Sequence, residues 1–223
     1  MTMSLDSMIQ AILEPLQGLK RRITMEIKNL IDEDFVNYIK PSMFIGMPHC
    51  TFKCDKECGC NVCQNSELAL APTIDMEKME IATRFYENPI TQAVVFGGLE
   101  PFDDFEDMIE LIKIMESLYI TCFDIKEMPD IVIYTGYYPH EVEDLLLRLQ
   151  RETTESNIIV KFGRFIPNRP SRIDKVLGVE LASNNQFAVS LRKIGNMDAL
   201  KRTGYYYRDF PAEDIKALEE KFE

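Results

Sequence analysis

No apolar run of eighteen residues occurs in the 223-residue chain, so no membrane-spanning helix is expected. The N-terminus lacks a basic stretch leading into an apolar core and a small-residue cleavage site. A cytoplasmic protein in a reducing compartment is therefore expected. Positive charge is in deficit, with 25 bases against 37 acids and a formal net charge of −12. Such a surface repels phosphate backbones and disfavours general nucleic-acid binding. Lys161, Arg164, Arg169, Arg172 and Lys175 lie close in sequence, but they read as a solvated loop. Histidine is limited to two residues. His49 is expected to orient locally or face solvent, His140 to sit exposed at a helix start, and neither is assigned a catalytic role. The patterns G-x-x-x-x-G-K-S/T and G-x-S-x-G are both missing, so neither a P-loop nor a nucleophile elbow is indicated.

What is present is concentrated. Five of the six cysteines, Cys50, Cys54, Cys58, Cys60 and Cys63, fall within fourteen residues reading C-T-F-K-C-D-K-E-C-G-C-N-V-C. Thiolates this dense suit a soft metal centre. A disulfide framework suits them poorly, because the rest of the chain offers only Cys122, read as buried apolar filler. The chain is long enough for one domain, and 46% hydrophobic residues suffice for a full core.

Residues 1–40 read as an N-terminal extension. Met8, Ile9, Ile12, Leu13, Leu16 and Leu19 recur at helical spacing, although Pro15 and Gly18 weaken the pattern. The main domain, residues 41–223, alternates strands and helices. Strands are predicted at 43–47, 92–96, 131–135 and 158–162 from short apolar runs, three of them stopped by glycine, with a fifth at 176–182. Helices are predicted from an Asp75 cap to Pro89, along Phe105–Leu118, along Val142–Leu149, and from Pro211 to about Phe222. Tyr205, Tyr206 and Tyr207 read as ordinary packing.

The alternation predicts an α/β fold with a mainly parallel sheet of βαβ units. In such a sheet the loops leaving the carboxyl ends of the strands share one edge, where ligands bind. The cysteine loop, Gly97-Gly98-Leu99-Glu100-Pro101, Thr135-Gly136-Tyr137 and Gly163-Arg164-Phe165 should meet there.

The bland alternative is a structural zinc site. Cys50-x3-Cys54 and Cys60-x2-Cys63 offer four thiolates at suitable spacing. Against it, structural zinc usually staples core-poor modules, whereas this loop emerges from a sheet with an ample core.

Cys50-Thr51-Phe52-Lys53-Cys54 after the first strand resembles the opening CxxxC of the radical S-adenosylmethionine superfamily. Cys63-Gln64-Asn65-Ser66 is similar to the third cysteine and trailing Asn of its small glycyl-radical activases. Val94–Pro101 resembles the GGEP element with one leucine inserted. The segment Asp130–Tyr137 resembles the third-strand region of the anaerobic ribonucleotide reductase activating group. Gly163-Arg164-Phe165 and Leu181–Gln186 are similar to that group's DGRF and GSxNQ elements. The likeness spans roughly residues 42–190.

The resemblance implies an open partial (β/α) barrel and a radical S-adenosylmethionine oxidoreductase. It implies a four-iron four-sulfur (4Fe-4S) cluster held by three thiolates, rather than the usual four. The open iron would take S-adenosyl-L-methionine, whose one-electron cleavage yields a 5′-deoxyadenosyl radical. The implied partners are a glycyl-radical enzyme, above all anaerobic ribonucleotide reductase, and an electron donor such as flavodoxin. Gly97 and Gly98 would admit the cofactor's close approach, with Glu100 and Pro101 at its methionine amino group and Val62 at its adenine. The third cysteine departs from the family spacing, since eight residues separate Cys54 from Cys63. Alignment on the strand end selects Cys50, Cys54 and Cys63 as ligands. Alignment on the Cys60–Cys63 tail selects that pair with Cys50 or Cys54. Cys58 is expected to be a bystander. Two alternatives remain: the same chemistry on a small molecule or peptide, and a non-enzymatic zinc-stabilised binding module.

Overall fold

A computed structural model describes residues 23–121, 127–194 and 200–201. The predicted helices over 8–19 and from Pro211, the Tyr205–Tyr207 run and Cys122 lie outside the described residues. In chain order the strands and helices begin with β1 (Thr24–Ile27), β2 (Asn29–Asp34) and β3 (Ser42–Gly46). They continue with α1 (Lys53–Cys58), α2 (Ser66–Leu70), β4 (Ile74–Glu77), α3 (Lys78–Glu87) and β5 (Ala93–Gly97). After a short 3₁₀ turn at Pro101–Asp104 come α4 (Phe105–Thr121), β6 (Asp130–Tyr134), α5 (Glu143–Glu152) and β7 (Asn157–Phe162). The chain closes with β8 (Arg172–Asp174), β9 (Val179–Leu181), β10 (Phe187–Ser190) and α6 (Leu191–Ile194).

Six strands form one mixed sheet in the order β10-β7-β6-β5-β3-β2. The four central strands are parallel to one another, and β2 and β10 run antiparallel at the two edges. The α/β class and the βαβ units are as expected from the sequence. The sheet differs from a parallel barrel in being open, with antiparallel strands on both flanks. Residues 24–34, expected within a helical extension, form strands instead, and β2 joins the sheet through its pairing with β3. Asp75 does not cap a helix. It lies in β4, opposite Glu26 of β1, and α3 begins only at Lys78. The predicted fifth strand is broken by Gly178, whose φ of +71° turns the chain. Only Val179–Leu181 of it is extended, in a separate hairpin with β8. The next strand of the main sheet is β10.

The central strands are apolar nearly throughout because both of their faces are covered. Met43, Ile45, Val94, Phe96, Ile131, Ile133, Ile158 and Val160 pack on one side against α3, α4 and α5. The amphipathic helices supply Ile81 and Phe85, then Met108, Ile112 and Met115, then Leu146 and Leu149. The opposite face is more thinly covered, by Tyr38, Leu177 and Leu181 over Val95, Val132 and Ile159. Among the described residues no helix is long and apolar enough to cross a membrane.

The register sets the ends of the strands level. Gly46 pairs with Gly97, Phe96 with Ile133, and Tyr134 with Lys161. The four loops that leave these strands therefore start from one line. Truncating Phe96, which has no exposed surface, should show how far this line depends on the core. Phe96→Ala is expected to lower unfolding stability by about 3–5 kcal/mol in urea titration.

Candidate cofactor and metal site

The first loop is tied to the second at its base. Met47 N–H donates to the Gly97 carbonyl at 2.8 Å, and Glu100 N–H donates to the His49 carbonyl at 2.8 Å. Cys50 follows, its Sγ accepting from Phe52 N–H at 3.3 Å. Phe52 itself has φ of +51°, a left-handed conformation that costs a non-glycine residue about 1–2 kcal/mol. That strained turn launches α1, so Cys54 stands in its first turn and Cys58 at its end.

Asp55 then closes the loop. Its Oδ1 accepts from both Val62 N–H and Cys63 N–H, each at 2.8 Å. This clamp returns the chain to the start of α1 and sorts the thiols. Cys50, Cys54 and Cys63 are half-buried, while Cys58 and Cys60 are exposed. Cys63 lies close enough to act electrostatically on both Cys50 and Cys54. Burial pushes the Cys50 thiol up to about 12. It also raises Cys54, opposed by the Phe165 N–H and by the charges of Lys161 and Arg164. Among the described residues, no three His, Cys, Asp or Glu side chains stand close enough together to hold a single metal ion.

The segment after Cys63 reaches the glycine turn. Asn65 Nδ2 donates to the Gly98 carbonyl at 2.6 Å. Gly98 has φ of +78°, and a Cβ there would come within 2.6 Å of Leu68 Cδ2. Only glycine fits both the conformation and the space. Val62 is half-buried, and Pro101 is buried at the start of the 3₁₀ turn.

Glu100 is turned into the protein, with 6% of its surface exposed. Its Oε1 accepts from Thr135 Oγ1 at 2.8 Å and Phe102 N–H at 3.1 Å, and Oε2 accepts from Gly136 N–H at 2.9 Å. The carboxylate thus binds the β5 loop to the β6 loop. Burial raises its pKa to about 7, against the pull of those three donors. Gly136 lies between Glu100 and Cys54: a Cβ there would stand 3.7 Å from Glu100 Oε2 and 3.6 Å from Cys54 Sγ.

Two cations expected in a solvated loop are buried here. Lys161, at 7% exposure, donates from Nζ to the Gly163 carbonyl at 3.0 Å. Desolvation lowers its pKa to about 8, partly offset by Cys54, Glu100 and Asp174. Arg164 has 2% of its surface exposed. Its Nη2 bonds to Glu141 at 2.7 Å and approaches Glu57 at 3.1 Å, and its guanidinium lies 4.3 Å from the Tyr138 ring centroid. Nε and Nη1 are buried and have no hydrogen-bond partner among the described residues. Burial opposes the charge of Glu141, but Arg164 and Lys53 hold that carboxyl down at about 2. Arg172 is also drawn in, its side chain 16% exposed, paired with the buried Asp174 at 2.7 Å and donating from Nε to the Gln186 carbonyl at 3.0 Å, whereas Lys175 is exposed.

The fourth loop is held by the 183–186 segment. Gln186 Nε2 donates to the Gly163 carbonyl at 3.2 Å and Asn185 Nδ2 to the Arg164 carbonyl at 2.9 Å, leaving Asn185 Oδ1 buried and unpartnered. His49 is exposed, with Nδ1 2.6 Å from Asp104, and His140 is exposed beside Pro139. The structure thus brings Cys50, Cys54, Cys63, Gly97, Gly98 and Glu100 to one rim. It leaves Cys58 and Cys60 on the outside. Sequence reasoning passed over Asp55, Lys161 and the free edge of Arg164. The one available signal was Lys161, a lone charge inside the apolar run Ile158–Phe162.

Two outcomes follow from this geometry. The folded pKa of Glu100 lies above its ordinary 4.5, so the folded state holds the proton more tightly. The contribution of this group to stability should fall as pH rises from about 4.5 to about 7. Urea unfolding at pH 5 and pH 8 should record the fall, and Glu100→Gln should remove that component. Asp55→Ala strands two N–H groups and should destabilise the fold by about 1–2 kcal/mol. It should also speed alkylation of Cys63 several-fold, read by peptide mass spectrometry. No protein-family model, no curated protein and no solved structure matches this chain.

Proposed function

We propose that the chain is a radical S-adenosylmethionine protein that installs a glycyl radical on a partner enzyme such as anaerobic ribonucleotide reductase. An electron donor such as flavodoxin would serve it, and the open sheet would act as a partial (β/α) barrel. The observation that carries this reading is the division of five clustered thiols. Cys50, Cys54 and Cys63 are half-buried in the segment that follows β3, whose last residue pairs with Gly97, while the other two are exposed. Three thiolates would hold a 4Fe-4S cluster with one iron left open, and their softness suits that metal. When bound, the cluster and S-adenosyl-L-methionine supply a 5′-deoxyadenosyl radical.

The chain's own residues bind, orient and shield. Gly97 and Gly98 let the turn pack closely on Phe44 and Leu68, which holds the backbone of the turn in place beside the site. Glu100 Oε2 has one donor in Gly136 N–H and retains acceptor capacity for an amino group. Arg164 offers two buried N–H edges without partners, suited to a carboxylate and costly if left unpaired. Val62, fixed through its N–H by Asp55, would lie against adenine. Burial raises the Cys54 thiol, and the charges of Lys161 and Arg164 oppose that rise in the direction of the thiolate, the form that binds metal. Glu141 in turn holds Arg164 and Lys53 in place.

Anaerobic reconstitution with iron and sulfide tests the reading. The expected product is a coloured protein whose spin-resonance signal changes on adding S-adenosyl-L-methionine. Under reducing, oxygen-free conditions Cys63→Ala should abolish 5′-deoxyadenosine release, whereas Cys58→Ala should retain it. A glycyl-radical signal appearing in candidate partner enzymes, rather than turnover of free small substrates, supports the activase role. A colourless protein that retains only zinc would overturn the proposal in favour of a binding module.

A further inference from the structure

Cys58 and Cys60 have no part in the site above, and their placement is distinctive. Both are exposed, and neither is paired. Cys58 is the last residue of α1, and Gly59 caps that helix with φ of +68° and ψ of +12°. This left-handed turn keeps Cα atoms two residues apart at about 5.4 Å, inside the range of roughly 4.4–6.8 Å between disulfide-bonded residues. The bond also needs the two Cβ atoms within roughly 3.5–4.5 Å, which the turn reaches by rotating, because residues two apart on a helical path do not face each other. No heavy atom lies within 4 Å of where a side chain on Gly59 would begin, so nothing packed over the turn resists its adjustment.

The two flanks of the turn are held. On one side α1 begins with Lys56 N–H donating to the Phe52 carbonyl at 3.1 Å. On the other, Asp55 grips Val62 N–H and Cys63 N–H. The two outer thiols are thus confined to a short loop with fixed ends, while Cys50, Cys54 and Cys63 are half-buried. Confinement raises the effective concentration of one thiol toward the other, which favours an internal bond over two mixed disulfides.

We infer that Cys58 and Cys60 form a reversible thiol–disulfide pair, oxidised by small disulfides of the glutathione class. The thiolate of one cysteine attacks a sulfur of the oxidant and expels one glutathione thiolate. The second cysteine, giving up its proton to solvent, attacks the protein-side sulfur and expels the other glutathione. One internal disulfide forms, one external disulfide is reduced to two thiols, and two electrons pass from protein to oxidant. Oxidation at this outer pair spares the three inward thiols and stiffens the segment that carries Cys63.

Treating the full chain with glutathione disulfide, quenching in acid and mapping peptides tests the inference. The expected result is a loss of two hydrogen masses within the peptide containing both cysteines, no retained glutathione, and recovery with dithiothreitol. Cys58→Ser and Cys60→Ser should each instead keep one glutathione on the remaining thiol. Two stable glutathione adducts on the unaltered chain would overturn it, as would a first bond joining Cys60 to Cys50, Cys54 or Cys63. The same treatment after anaerobic iron and sulfide reconstitution should give the same internal bond. Protection of Cys60 by iron would assign it to the metal and sink the pair. The readout does not depend on S-adenosylmethionine chemistry, so its failure and that of the proposed activity are distinguishable.

Discussion

Everything at the rim depends on four parallel strands ending on one line. The pairings of Gly46 with Gly97, Phe96 with Ile133 and Tyr134 with Lys161 set the strand ends level to within one residue. A one-residue slip would exchange the buried faces of a strand whose two sides are differently packed. The apolar core enforces the register, and the register places the loops. Three loop-to-loop bonds then lock them together: Met47 to Gly97, Glu100 to His49, and the Glu100 carboxylate to Gly136.

Charge inside this frame is arranged in compensating layers. Glu100 is buried and nearly neutralised by desolvation, yet three donors surround it. Lys161 is buried nearby with its ammonium anchored to a carbonyl. Arg164 shares Glu141 with Lys53, so one carboxylate steadies two cations. Buried ionic groups are costly unless partnered, and among the described residues Arg164, Asn185 and Asp104 each keep a buried polar atom without a hydrogen bond. Arg164 lies on the loop after β7, and Asn185 on the segment that braces it.

The four central strands were legible because burial on both faces writes them as short apolar runs. Helix α4 was legible from its apolar spacing, and the rim followed from the alternation of elements. The edges were not legible. Asn29–Asp34 is mostly polar with no alternation, and Phe187–Ser190 is four residues long, so each owes its extended form to the neighbour it pairs with. Likewise β4 draws Asp75 out of a plausible helix cap through a partner, β1, that no local pattern announces. Arg164 was mistaken for a solvated charge because its counter-charges come from Glu57 of α1 and Glu141 of the turn at Pro139–Glu141, distant in sequence. Lys161 is instead buried with its ammonium on a carbonyl two residues away. Which thiols face inward was open for the same reason, since the answer depends on a carboxylate receiving two backbone N–H groups.

That carboxylate has an evolutionary corollary. Because Asp55 fastens residues 62 and 63 beside the first turn of α1, the stretch from 56 to 61 is a side excursion that leaves and returns to one point. Lengthening such a detour is cheap, since each doubling of a flexible loop adds only about 0.6 kcal/mol. Spacing along the chain is thereby uncoupled from spacing in three dimensions. Insertions could accumulate between the second and third inward sulfurs, bringing extra cysteines with them, while the sulfurs themselves kept their places.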